Sequence, residues 1–207
     1  SGVDLSAYNI TTTSGNIPVV LLASRLLADK GVREFVRAAK LVNESATLYM
    51  PILSARFILV GGLDPFNPAS IQQKELDRWQ NEGVVEMWGH RHDMNKILAI
   101  ANIVVLPSYR EGFPKVLIEA SACGRAIITT DVPGCRDVIE DGVTGLLVPP
   151  RNPEMLSNKI SLLLDNPTLC KEMGKAGRAL AEERFDIRQV VSEHMNIYEE
   201  LLEQVIK

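Results

Sequence analysis

The chain has 207 residues, 46% of them apolar, enough to bury one sizeable core or two small ones. A formal net charge of −4 argues against a nucleic-acid backbone as partner, no apolar run has the length of a membrane span, and no charged-then-apolar start marks a signal peptide. Cys123, Cys135 and Cys170 form an odd set without CxxC spacing, which favours reduced, buried thiols in a cytosolic chain over disulfides or zinc.

Residues 1–16 are polar and read as an opening segment, followed by a single unit over residues 17–207. Val19–Ser24 is a continuous apolar run of strand length, and a helix to about Val42 carries Val32, Phe35, Val36, Ala39 and Val42 on one side. Arg56–Val60 is the second strand, closed by Gly61-Gly62; Asn67-Pro68 predicts the start of a helix to about Asn81. Val84–Trp88 is a short strand, after which Asp93 caps a helix to Ala101 with Ile97, Leu98 and Ala101 inward. Ile103–Leu106, Ala126–Thr130 and Leu146–Val148 are further buried strands, the second followed by a turn and a short helix to Ile139. Asn152-Pro153 and Asn166-Pro167 open two more helices, and Asp186 with Gln189 forms a capping box for a last helix to about Val205. On that helix His194 shares a face with Val190, Val191, Ile197, Tyr198 and Leu201, where packing is expected of it rather than catalysis.

Six short strands alternating with helices imply a parallel sheet covered on both faces, with right-handed crossovers. The expected fold is α/β: a doubly wound, six-stranded Rossmann-like sheet in the order 3-2-1-4-5-6, with a helical C-terminal tail. In such sheets ligands bind beyond the C-terminal strand ends, at the point where the order reverses. Arg25 and Lys30 follow the first strand, where a forked donor and a point charge can balance a diphosphate, although each could also be a solvated helix start. Gly61-Gly62 admits a ligand close to the backbone and is equally consistent with a tight turn.

The stretch Tyr109 to Gly124, YREGFPKVLIEASACG, organises the rest. Gly112 lets the backbone bend, Pro114 suits a first helical turn, and the amides of Lys115 and Val116 then face outward from a positive helix end suited to phosphate. Glu111 in the turn and Glu119 on the helix are placed to accept hydrogen bonds from sugar hydroxyls on either side of it. His90 and His92 have no third convergent ligand, and no Asp, Glu or His cluster has metal-ligand spacing near these loops.

The Glu-x7-Glu pair of Glu111 and Glu119, read with REGFPKVLIEA, ACG and AI, resembles the donor-binding signature of retaining glycosyltransferases of the GT-B fold, family 4 or "glycosyl transferases group 1". Gly2-Val3-Asp4 with Tyr8 resembles the opening of that family's C-terminal domain, and Arg25 with Lys30 matches its GRL…KG, with Ser24 where the family has Gly. The resemblance covers roughly residues 17–183. It implies a UDP-sugar donor, with Arg25, Lys30 and Glu111 as the catalytic set and Gly112, Phe113, Pro114, Lys115 and Val116 around the phosphates. Gly61 and Gly62 would lie beside the nucleotide, Trp88, Gly89 and His90 would form the base pocket, and Glu119 would hold the ribose while Glu111 contacts the transferred sugar.

The resemblance also implies that no metal or other cofactor takes part. The chain would be the second half of a larger enzyme, the acceptor site lying mostly on an N-terminal domain outside this sequence. The REG-PK…ACGRAI-TTDVPGCR wording, from Arg110 to Arg136, looks most like bacterial enzymes of surface-polysaccharide synthesis. These transfer a hexose or N-acetylhexosamine to a lipid-linked or polysaccharide acceptor, in the cytoplasm or at the cytoplasmic face of the inner membrane, where peripheral association is expected. A UDP-sugar epimerase of the same fold, using a carboxylate and His pair, and a non-catalytic nucleotide-binding module are the rival classes.

Overall fold

Each apolar run becomes a strand in the computed structural model, which describes residues 2–10, 17–49 and 55–206. Ser1 and residues 11–16 of the opening segment lie outside the described residues. The strands are β1 (Val19–Ala23), β2 (Arg56–Val60), β3 (Glu86–Met87), β4 (Ile103–Leu106), β5 (Ala126–Thr130) and β6 (Gly145–Val148). They form one sheet in the order β3-β2-β1-β4-β5-β6. Every pairing is parallel, from Val19 opposite Arg56 at the start of β1 to Thr130 opposite Val148 at the end of β5. The order reverses between β1 and β4, as the alternation of elements requires.

The helices are α1 (Val32–Tyr49), α2 (Gln73–Asn81), α3 (Met94–Ile100), α4 (Lys115–Ala122), α5 (Pro153–Asp165), α6 (Pro167–Arg184) and α7 (Ile187–Ile206). One-turn 3-10 helices cover Ala28–Lys30 and Arg136–Val138. Side chains alternate across the strands with period two. Val20 and Leu22 of β1 join Phe35, Phe57, Val105 and Ile160 on one face, while Val19, Leu21 and Ala23 join Ile58, Leu98, Val104 and Ile118 on the other. Both faces are therefore covered, which is why the strands read as unbroken apolar runs. Phe35 and Phe57 meet edge to face with ring centroids 5.8 Å apart. Cys123 and Cys135 are buried, Cys170 is half-buried, and all three thiols are free; burial pushes those of Cys123 and Cys170 up to about 11.

Three local expectations are corrected. Asn67-Pro68 does not open α2: the Asn67 side chain accepts the Ala69 N–H in a local turn, and Ser70 bridges antiparallel to Leu27. The helix starts six residues after Asn67, at Gln73, where the Glu75 carboxylate reaches back to the Gln72 N–H (3.5 Å). Pro114 occupies the cap before α4, with extended ψ, rather than its first turn. His194 is exposed, its Nδ1 2.7 Å from the Val190 carbonyl oxygen, because no described element packs over that part of α7. Val191, Met195, Tyr198 and Leu202 stand in solvent beside it.

Two bidentate ion pairs pin helices and strands across the fold. Arg33 of α1 donates twice to Glu75 of α2 (3.0 Å each), and Arg56 of β2 donates to Glu86 of β3 at 2.7 and 2.8 Å. The Arg33 guanidinium holds the Glu75 carboxyl below its ordinary 4.5, and Arg56 does the same for Glu86. A carboxyl depressed in the folded state contributes stability that is complete above the unfolded value and is lost as pH falls through the folded one. The melting temperature should therefore hold down to about pH 5 and fall below about pH 4.5, with a shallower fall in Glu75→Gln. Thermal melts of both proteins from pH 7 to pH 3 check this; parallel curves would remove Glu75 from the account.

Candidate active site

The loop after β1 and the loop after β4 are joined by backbone contacts. Asp29 accepts through its carbonyl from the Tyr109 N–H (2.8 Å) and the Ser108 hydroxyl (3.1 Å). Gly31, at φ +70°, lies so close to the Pro107 carbonyl that a Cβ there would clash with it. These ties bring Lys30 to Glu111: Nζ is 2.7 Å from Oε1, with the two side chains 16% and 13% exposed. A pair so little exposed is an element of the site's construction and not a surface ornament.

The loops after β1, β2 and β3 close on one another in the same way. Gly61, at φ +151°, donates its N–H to the Gly89 carbonyl (2.8 Å), and a Cβ on it would strike the Ser24 carbonyl oxygen. Gly61 is thus required by its neighbouring loops, whether or not a ligand lies against it. Gly112, by contrast, has open space around it and no positive φ, so the turn into α4 does not depend on a glycine there.

Between these loops and the start of α4 lies a cavity of about 300 Å³. It gathers Ser24, Arg25, Gly61, Gly62, His90, Lys115, Val116 and Glu119, all named from sequence, and adds Arg91 and Met94. Arg25 is 64% exposed and donates to Asp64 at 3.2 Å, a partner with no local signal in the sequence. Glu119 is 6% exposed and lines the cavity from the second turn of α4. Its Oε1 accepts from the Tyr8 hydroxyl at 2.7 Å and has the Lys115 ammonium at 3.5 Å. Burial and the adjoining Glu119 carboxylate both push the Tyr8 phenol upward, so it stays a donor.

Several expected site residues are not part of the cavity's lining. Lys30 and Glu111 form their pair between the loops after β1 and β4, with Gly112 exposed and Pro114 buried in the turn that follows. Phe113 stacks edge to face on Phe185 (5.7 Å), anchoring the turn to the end of α6. Gly89 contributes its carbonyl to Gly61, while Trp88 donates its indole N–H to Glu86 (3.1 Å) under the Arg56 guanidinium. His90 and His92 meet edge to face at 4.7 Å, and among the described residues no three His, Cys, Asp or Glu converge as a metal site.

A doubly wound parallel sheet with a cavity at its switch point, lined by one buried carboxylate, and a Lys–Glu pair joining the loops after β1 and β4, defines a Rossmann-like domain of the GT-B type. The chain belongs to the glycosyl transferases group 1 family, whose model matches residues 9–180. It is 35% identical over 188 residues to the N,N'-diacetylbacillosaminyl-diphospho-undecaprenol alpha-1,3-N-acetylgalactosaminyltransferase of Campylobacter jejuni, covering 91% of this chain and 46% of that protein. Among solved structures, sucrose-phosphate synthase from Thermosynechococcus elongatus superposes with a TM-score of 0.81 at 26% identity, over 98% of this chain and 52% of that one. HepE from Anabaena, solved in complex with UDP, gives a TM-score of 0.79 at 27% identity, over 98% and 56%. The chain thus spans about half the length of the relatives it matches.

Proposed function

We propose that this chain is the donor domain of a retaining glycosyltransferase that takes a UDP-sugar and passes a hexose or N-acetylhexosamine to a lipid-linked or polysaccharide acceptor. The observation that carries the reading is the cavity itself. It sets the exposed Arg25 guanidinium, the start of α4 and the buried Glu119 carboxylate around one space, while Lys30 and Glu111 pair between the loops after β1 and β4, outside its lining. Cationic donors and helix amides suit a diphosphate, and a buried acceptor carboxylate suits ribose hydroxyls. UDP as the nucleotide is supported by the UDP complex of HepE, and a lipid-diphosphate acceptor by the name of the Campylobacter relative. The acceptor side and any membrane contact would belong to the remainder of the enzyme; no helix among the described residues is long and apolar enough to cross a membrane.

In this mechanism the acceptor hydroxyl attacks the anomeric carbon on the face from which the diphosphate departs, and the departing diphosphate takes the proton. Arg25 and Lys30 stabilise the charge that grows on the leaving group. Lys30 is held by Glu111 in this structure, so its cation is positioned but shared, and the incoming donor must compete for it or join the pair. Because these cations supply the charge compensation, UDP should bind equally well in EDTA and in Mg²⁺ or Mn²⁺. Calorimetric titration of the chain with UDP in the three buffers checks both points: no binding in any buffer overturns the donor-site reading, and binding only with metal overturns the role given to Arg25 and Lys30.

A further inference from the structure

Tyr8 stands 111 positions before Glu119, yet its hydroxyl donates to Glu119 Oε1 at 2.7 Å. The contact is braced on the far side: Arg178 of α6 donates Nη1 to the Tyr8 carbonyl (2.6 Å) and to the Ala122 carbonyl at the end of α4 (2.5 Å). One guanidinium, 15% exposed and also paired with Glu182 (2.6 Å), therefore fixes Tyr8 against the helix that carries Glu119. The other neighbour of Oε1 is the Lys115 ammonium, on a side chain 73% exposed and 3.5 Å away, a looser and better-solvated contact. Among the described residues Glu119 Oε2 takes no hydrogen bond, and the residue lines the cavity.

We infer that Tyr8 is a positioning residue for donor recognition: its hydroxyl occupies one oxygen of Glu119 and so presents the other to the ligand. This rests on the proposed role of the cavity as a nucleotide-sugar site, and it adds a requirement for a hydroxyl at position 8. A carboxylate on three side-chain torsions that is tied at one oxygen and buried by its helix loses little freedom when a ligand hydroxyl arrives. Without the tie the carboxylate must be ordered by the ligand, or it swings to the exposed Lys115 cation four residues back. The effect should be confined to ligands that use Glu119. Packing by the aromatic ring is unchanged in Tyr8→Phe, so only the hydrogen bond is removed.

The test is calorimetric titration of the wild type, Tyr8→Phe, Glu119→Gln and the double variant with UDP and with 2',3'-dideoxy-UDP, alongside their melting temperatures. Tyr8→Phe should weaken UDP roughly three- to tenfold, the range of one net hydrogen bond, while leaving dideoxy-UDP affinity unchanged. In the Glu119→Gln background the same change should have no further effect on UDP. A purely structural role would weaken both ligands alike and lower the melting temperature in step, and that result overturns the proposal. If Glu119→Gln weakens UDP but Tyr8→Phe does not, the assignment of Tyr8 alone fails. If Glu119→Gln leaves UDP binding intact, the ribose-site reading itself fails and the role of Tyr8 falls with it.

Discussion

Lys30→Ala in the full-length enzyme should lower turnover by roughly 10²–10³-fold, the usual loss when one preorganised charge contact to a developing anion is removed. Two effects are superimposed in that variant, and they can be separated. The Lys30–Glu111 pair is 2.7 Å long with both side chains mostly covered, so deleting the cation leaves a carboxylate short of a partner in a partly dehydrated place. That should lower stability by about 1–3 kcal/mol. Lys30→Ala combined with Glu111→Gln removes the stranded charge and should recover most of the melting temperature without recovering turnover. Arg25 offers the contrast. Its pair with Asp64 is 3.2 Å long on a side chain 64% exposed, a contact expected to contribute about 0–1 kcal/mol to folding. Arg25→Ala should therefore keep its melting temperature while lowering turnover, and calorimetry with a coupled UDP-release assay reads both quantities. Full turnover in Lys30→Ala would remove Lys30 from the leaving-group role.

The bounds of β2, β4 and β5 were readable from sequence because each is an apolar run interrupted by a residue that cannot continue it: Gly61 after Val60, Pro107 after Leu106, Asp131 after Thr130. The cavity was readable for a related reason. A doubly wound sheet sends the loops after β1, β2, β3 and β4 to one edge, so polar and glycine-rich loops at those positions converge without any knowledge of side-chain contacts. What the sequence did not reveal are pairings with no local periodicity. Tyr8 reaches Glu119 across 111 positions, Asp64 reaches Arg25 across 39, and Tyr109 donates to Glu34 across 75. The start of α2 departs from its local signal because Asn67-Pro68 has the chemistry of a helix cap while the bridge from Leu27 to Ser70 keeps the chain extended there. Tertiary contact outweighed a local preference worth about 1 kcal/mol. The exposed face of α7 departs from its pattern for the opposite reason: apolar spacing identifies a face to be covered, and says nothing of what covers it.

The two glutamates should divide the donor between them. Glu119 lines the cavity, is 6% exposed and accepts from Tyr8, and the proposed function assigns it to hydroxyls common to UDP and every UDP-sugar. Glu111 lies in the turn before α4, tied to Lys30 and outside the cavity's lining, and the proposed function assigns it to the transferred sugar. Loss of a charged acceptor whose partners stay behind is worth on the order of 1.5–3 kcal/mol, which corresponds to roughly 10–150-fold in affinity. Glu119→Gln should weaken UDP and UDP-sugar by similar factors within that range. Glu111→Gln should behave differently, because removing its charge frees the Lys30 ammonium for the diphosphate. UDP affinity in that variant should be unchanged or somewhat tighter, while UDP-sugar gains less than UDP does and turnover in the full-length enzyme falls. Comparing UDP with UDP-sugar in both variants cancels any general loosening of the site, since a distorted cavity weakens the two ligands together. A Glu111→Gln variant that loses UDP as severely as Glu119→Gln would show that both carboxylates serve the nucleotide, and the division of labour would have to be abandoned.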